Sequence, residues 1–129
     1  DLKKHPEIIR RAYDDAEGIT SSFNMNLLTR FNREMGADFK TEQFDFYSFY
    51  DPISGEVRSY LISLCRQEVH FPYSGVTVVF EKNEPVHTEI SKKFDLPEIE
   101  QLFGESGFYD LQIWKDENEY YADALAVRR

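Results

Sequence analysis

A chain of 129 residues that is 41% hydrophobic and 16% aromatic is long enough to bury one compact core, which excludes a disordered tail. Its 24 acidic residues against 15 basic ones, a formal charge of −9, repel a phosphate backbone and leave no basic stripe for nucleic acid. No apolar run approaches the roughly 20 residues of a membrane-spanning helix and no signal peptide is visible, so no membrane partner is expected and the cytoplasm is the expected location.

Pro6 suits the first turn of a helix over residues 7–15, with Ile8, Ile9 and Ala12 as its apolar face and Gly18 as its end. Phe23, Leu27, Leu28, Phe31 and Met35 recur at helical spacing, which predicts an amphipathic helix over 19–35 that Gly36 stops. Residues 41–44 read as a short helical turn. Strands are expected over 46–50, 56–66, 68–71, 76–81 and 86–91, separated by Asp51-Pro52-Ile53-Ser54-Gly55, Pro72-Tyr73-Ser74-Gly75 and Lys82-Asn83-Glu84-Pro85. Links this short join antiparallel neighbours. The solitary Cys65 falls in the second strand, where an apolar setting predicts a buried thiol and a reducing compartment. Leu96-Pro97-Glu98 opens a last helix carrying Ile99, Leu102 and Phe103, Gly107 closes it, and 108–114 pairs with 120–127 as a hairpin. The predicted fold is α+β: N-terminal helices packed on a mainly antiparallel sheet, followed by an αββ tail.

Within His87-Thr88-Glu89-Ile90-Ser91-Lys92-Lys93-Phe94, Glu89 and Ser91 are two apart in a strand and share a face. Such a pair either faces solvent, with Glu89 beside Lys92 or Lys93, or holds one polar ligand group such as a ring N–H. The pair alone leaves both readings open. His5, His70 and His87 lack metal-ligand spacing, and no metal is expected. Asp14 and Asp15 point to different sides of a helix, and no Ser-His-Asp or Cys-His arrangement is present, so no catalytic residue is assigned. Asn24 and Asn26 flank the apolar stripe of the long helix and read as surface.

Three segments in order, Tyr13-Asp14-Asp15-Ala16-Glu17-Gly18-Ile19-Thr20, Phe23-Asn24-Met25-Asn26-Leu27-Leu28 and Thr88-Glu89-Ile90-Ser91, together with Gly36-Ala37-Asp38-Phe39, resemble the C-terminal part of the histidine-specific, S-adenosylmethionine (SAM)-dependent Nα-methyltransferases of ergothioneine synthesis. The tail, with Gly107-Phe108, a strand ending at Trp114-Lys115-Asp116 and a final strand of small residues, resembles the end of a class I methyltransferase fold. The resemblance implies a substrate-recognition domain over 1–93 and, over 94–129, the C-terminal helix and hairpin of a split SAM-dependent domain. It implies that Glu89 and Ser91 hydrogen-bond the imidazole of a histidine substrate and favour its protonated or N–H-presenting form. By the same resemblance Tyr13 helps bind the substrate carboxylate and Phe23 lines the cavity. Ser59 stands where methionine is common in the family; a small hydroxyl there widens or wets the pocket and leaves tryptophan or another amine open as substrate.

SAM would be the co-substrate of the intact enzyme, its methyl attacked in line by a neutral substrate amine. No glycine-rich loop follows a strand here, so none is expected to bind to this chain alone. The start at Asp1 fits a piece of a longer protein, expected to be inactive alone and to expose apolar surface that favours self-association or a missing N-terminal half. The alternative reading is a free-standing, non-enzymatic α+β ligand-binding or interaction module.

Overall fold

The computed structural model describes residues 1–128. Helix α1 spans Pro6–Tyr13 and α2 Ile19–Met35; a 3-10 turn at Thr41–Gln43 leads into strands β1 (Phe44–Asp51), β2 (Glu56–Ser63), β3 (Gln67–Phe71), β4 (Val76–Phe80) and β5 (Pro85–Lys92). Helix α3 (Leu96–Glu105) and strands β6 (Phe108–Lys115) and β7 (Ala122–Arg128) complete the chain. Strands β1, β2 and β5 form a three-stranded antiparallel sheet in that order, and β3–β4 and β6–β7 are separate antiparallel hairpins. The mixed α+β architecture agrees with the sequence expectation. No helix among the described residues is long and apolar enough to cross a membrane.

The core lies where α2 crosses the inner face of β1 and β2. Leu28, Ala37, Phe39, Phe44, Leu61 and Val69 are buried together there. Phe39 is its hub: its ring centroid lies 6.0 Å from Phe31, 5.8 Å from Phe44, 5.6 Å from Phe71 and 6.0 Å from Phe80. Each such ring pair adds about 0.5–1.5 kcal/mol beyond area burial. Asn32 holds Phe39 in place by accepting from its backbone N–H and donating to its carbonyl, both at 2.8 Å.

Several boundaries differ from the sequence reading. Helix α1 stops at Tyr13, and Gly18, at φ +68°, begins α2 instead of ending α1. The Asp15 carboxylate accepts from the N–H groups of Ile19 at 2.7 Å and Thr20 at 2.9 Å, which satisfies the open end of α2. Of the proposed apolar face of α1, Ile9 is buried while Ile8 and Ala12 are exposed, because adjacent helical positions are rotated by about 100° and α1 has a neighbour on one side. Strand β2 ends at Ser63, two residues before Cys65, which lies half-buried in a bend with its Sγ donating to Gln43 Oε1 at 3.4 Å.

The C-terminal unit opens with a capping box: Asp95 Oδ1 accepts from Glu98 N–H, and Glu98 Oε2 accepts from Asp95 N–H, both at 2.9 Å. The first residues of the chain join this unit. Leu2 bridges Phe94 in parallel and donates its N–H to the Tyr120 carbonyl at 2.9 Å, while Lys3 N–H donates to the Phe94 carbonyl at 2.8 Å.

Candidate functional site

Strand β5 is an edge strand, and its irregularity organises the site. Ser59 pairs with Glu89 but Tyr60 pairs with His87, leaving Thr88 as the extra residue of a bulge. Thr88 Oγ1 lies 3.1 Å from both Asn24 Oδ1 and the Ser59 carbonyl, so the bulge is tied to α2 and to β2. Asn24 Nδ2 donates to the Thr20 carbonyl at 3.1 Å, and the residue is buried. The surface reading of Asn24 is thereby corrected: on the sheet-facing side of α2, its amide is the partner that the bulge requires.

Between α2 and β5 opens a cleft of about 290 Å³, lined by Phe23, Asn24, Asn26, Leu27, Arg30, Thr88 and Glu89, with the Arg30 guanidinium paired to Glu34. Phe23 is 73% exposed, so it walls this cleft and takes no part in the core. Directly across the sheet from Glu89, Ser59 is buried, on the same face as Val57 and Leu61. Among the described residues nothing pairs with the Glu89 carboxylate; neither neighbouring lysine reaches it. Lys92 turns to the Ser54 carbonyl and Glu98, and Lys93 turns inward.

One step along β5, Ser91 meets Tyr13 at the end of α1. The Tyr13 hydroxyl lies 2.9 Å from Ser91 Oγ, joining residues 78 apart in sequence. The Lys93 ammonium, 2% exposed, donates to Tyr13 Oη at 2.5 Å and to Ser91 Oγ at 2.7 Å. It also pairs with Asp1 Oδ2 at 3.1 Å and lies 4.7 Å from the Tyr13 ring centroid, a cation–π contact. Close by, Lys4 pairs with Asp1, and burial first and then the Lys93 charge hold its ammonium below the ordinary lysine range.

Of the five residues expected at the site, Tyr13 and Ser91 are in direct contact, Glu89 and Phe23 share the cleft, and Ser59 underlies Glu89 from the neighbouring strand. Lys93 escaped the sequence reading except as a surface partner for Glu89. The alternation of a strand held the signal, since positions 89, 91 and 93 share one parity. The arrangement offers an open carboxylate acceptor beside a hydroxyl that an ammonium and a phenol hold fixed.

The family model of the histidine-specific, SAM-dependent methyltransferases matches residues 1–128 of this chain. Over 128 residues it is 31% identical to a histidine N-alpha-methyltransferase of Mycobacterium tuberculosis and 32% identical to one of Mycolicibacterium smegmatis. These matches take in 99% of this chain and 40% of each relative, so the chain spans well under half the length of the curated relatives it matches. A family match across essentially every residue, on a chain that carries the β5 carboxylate–hydroxyl pair and the tyrosine against it, shows that this protein belongs to the histidine-specific SAM-dependent methyltransferases.

Proposed function

We propose that this chain is the substrate-binding portion of a methyltransferase that transfers a methyl group from SAM to the α-amino group of histidine. The observation that carries the reading is the open Glu89 carboxylate set two residues from Ser91, whose hydroxyl is already fixed by Tyr13 and Lys93. A carboxylate can accept an imidazole N–H in a charge-assisted bond, stronger than one between neutral groups. Phe23 supplies an aromatic wall for the ring. Ser59, small and buried, pairs with Glu89 across the sheet.

On this reading SAM is held by parts of the intact protein outside this chain. Gly18 and Gly36 flank α2, and Gly55 and Gly75 lie in hairpin turns. Among the described residues the one parallel pairing is the Leu2–Phe94 bridge, so no strand, glycine loop and helix cradle a nucleotide. The share of this chain in the reaction is to bind and orient the amine-bearing substrate and to keep water from it.

We divide the chain into a substrate domain over 1–93 and a returning edge of the SAM domain over 94–129, with residues 1–3, which hydrogen-bond to Phe94 and Tyr120, packed on the second unit. Exposed Trp114, Leu125 and Val127 share one face of the β6–β7 hairpin and offer an apolar surface that the rest of the intact protein would cover. A methylation assay with SAM and histidine tests the reading. The 129-residue chain should show no turnover alone, and the intact protein should methylate histidine in preference to tryptophan; turnover by the isolated chain, or inertness of the intact protein toward histidine, overturns it.

A further inference from the structure

We infer that the free edge of β1 is completed in the intact protein by an added strand, an extended segment from outside residues 1–129 that lies in the groove between β1 and α1. This rests on the reading of the chain as part of a longer protein, and on no role of β5.

The register identifies the open backbone groups. Just before β1, Leu64 N–H donates to the Gln43 carbonyl at 2.9 Å, and the β1–β2 register continues from there without a shift, from Phe44 opposite Ser63 to Asp51 opposite Glu56. In an antiparallel pair, residues that exchange hydrogen bonds with the partner strand alternate with residues that turn theirs away. Asp45, Tyr47 and Phe49 therefore bond to β2, and the N–H and carbonyl groups of Phe46, Ser48 and Tyr50 point to the free edge. Among the described residues no further strand meets them there, and the Phe46 N–H has the neighbouring Asp45 carboxylate at 2.9 Å.

An open strand edge is a template for further pairing, and proteins protect it with proline, lysine, a bulge or brevity. The other edge of this sheet is protected in three of these ways: β5 begins at Pro85, is bulged at Thr88 and ends at Lys92. By contrast β1 has eight residues in unbroken register, none of them Pro, Lys or Arg, and its middle five are uncharged. Helix α1 stands beside those five and leaves a groove of about 460 Å³, walled by Pro6, Glu7 and Arg10 and bordered by β1 from Phe46 to Tyr50. Five residues of extended chain run about 16 Å, the length of edge on offer. Tyr47 and Phe49 are half-exposed on the outer face of the sheet, where β-branched or aromatic residues of the added strand would pack beside them.

Two features select the occupant. A second copy whose β1 pairs antiparallel with this one, using all three edge-facing residues, would set Asp45 opposite Asp51 at both ends of the match, and like charges directly opposite destabilise a strand pair. A segment of the same protein meets no such repulsion when it carries Lys or Arg at its ends, and its covalent link gives it a high effective concentration at the edge. Enough chain exists for it, since the matched 128 residues make up 40% of each curated relative.

The test is NMR of the intact protein, 15N-labelled at Phe, Ser and Tyr, with amide exchange and amide NOEs read together. Tyr47 and Phe49, bonded to β2, are the internal reference. The amides of Ser48 and Tyr50 should exchange within about tenfold of that reference at every protein concentration and show short inter-strand NOEs to residues outside 1–129. Faster exchange overturns the inference, as does protection without such NOEs. Protection that fades on dilution, or NOEs from β1 to β1, gives the edge to a second copy and overturns it too. Histidine methylation is read in a separate assay, so failure of the added strand and failure of the substrate assignment are told apart.

Discussion

Thr88 stands 3.1 Å from Asn24 Oδ1, and through that contact the bulge of β5 is fastened to the buried side of α2. The two elements that wall the cleft are thus held by a pair of neutral polar side chains. Replacing Asn24 with leucine should destabilise the protein by about 1–3 kcal/mol, since a buried polar link is lost. It should also loosen Glu89, which follows Thr88 directly. Denaturant unfolding and backbone amide exchange over residues 86–91 would check both effects.

Gly55 is predicted to tolerate no side chain. It adopts φ +72°, and a Cβ built there would lie 2.5 Å from the Lys93 carbonyl oxygen. The Lys93 N–H donates to the Gly55 carbonyl at 2.7 Å, so this turn sets the backbone from which the buried ammonium reaches Tyr13. Gly55→Ala should cost at least about 1–2 kcal/mol from the left-handed backbone alone. The clash adds to this, and chemical shifts around Tyr13 and Ser91 should move with it.

Acid should weaken the start of α2. The Asp15 carboxyl is held at about 2, against an ordinary 3.8, first by the Thr20 N–H, then by the Thr20 hydroxyl and the Ile19 N–H. A carboxyl whose folded value is depressed adds stability that is complete above its ordinary value and is lost as pH falls through the folded one. Thermal midpoints measured between about pH 5 and pH 2 should therefore fall for the wild type. Asp15→Asn should start lower at neutral pH and show a shallower decline.

The apolar side of the tail should make the isolated 129-residue chain self-associate. Trp114 is 53% exposed and Leu125 60%. Light scattering should report oligomers that Trp114→Lys combined with Leu125→Lys disperses, and the intact protein should show no such association. A monodisperse isolated chain would contradict this use of the surface.

The parts of the fold legible in sequence were those governed by local chemistry. Gly36 after a helical apolar pattern, the Leu96-Pro97-Glu98 helix start and the Pro/Gly-rich hairpin turns gave element types and most boundaries. The errors arose where tertiary contacts override local pattern. Phe23, expected from the resemblance to line the cavity, does line the cleft although its spacing also fits the apolar stripe of α2, whereas polar Asn24, read as surface, takes a buried position against the Thr88 bulge. The bulge itself is invisible to a strict alternation reading, since one extra residue shifts the register. Lys93 was the most consequential omission. A lysine after a strand reads as solvated, and its burial depends on Tyr13 and Asp1, which are 80 or more residues away in sequence.

Glu89→Gln in the intact protein tests the central claim most directly, because the substitution keeps the shape and removes the charge that is proposed to hold the imidazole. Steady-state kinetics with histidine at saturating SAM should show KM raised about tenfold or more, with a smaller change in kcat, as expected for loss of one charge-assisted contact to the ring. An unchanged KM for histidine would mean that the open carboxylate on β5 does not bind the substrate, and the assignment of this face as the recognition site would fall.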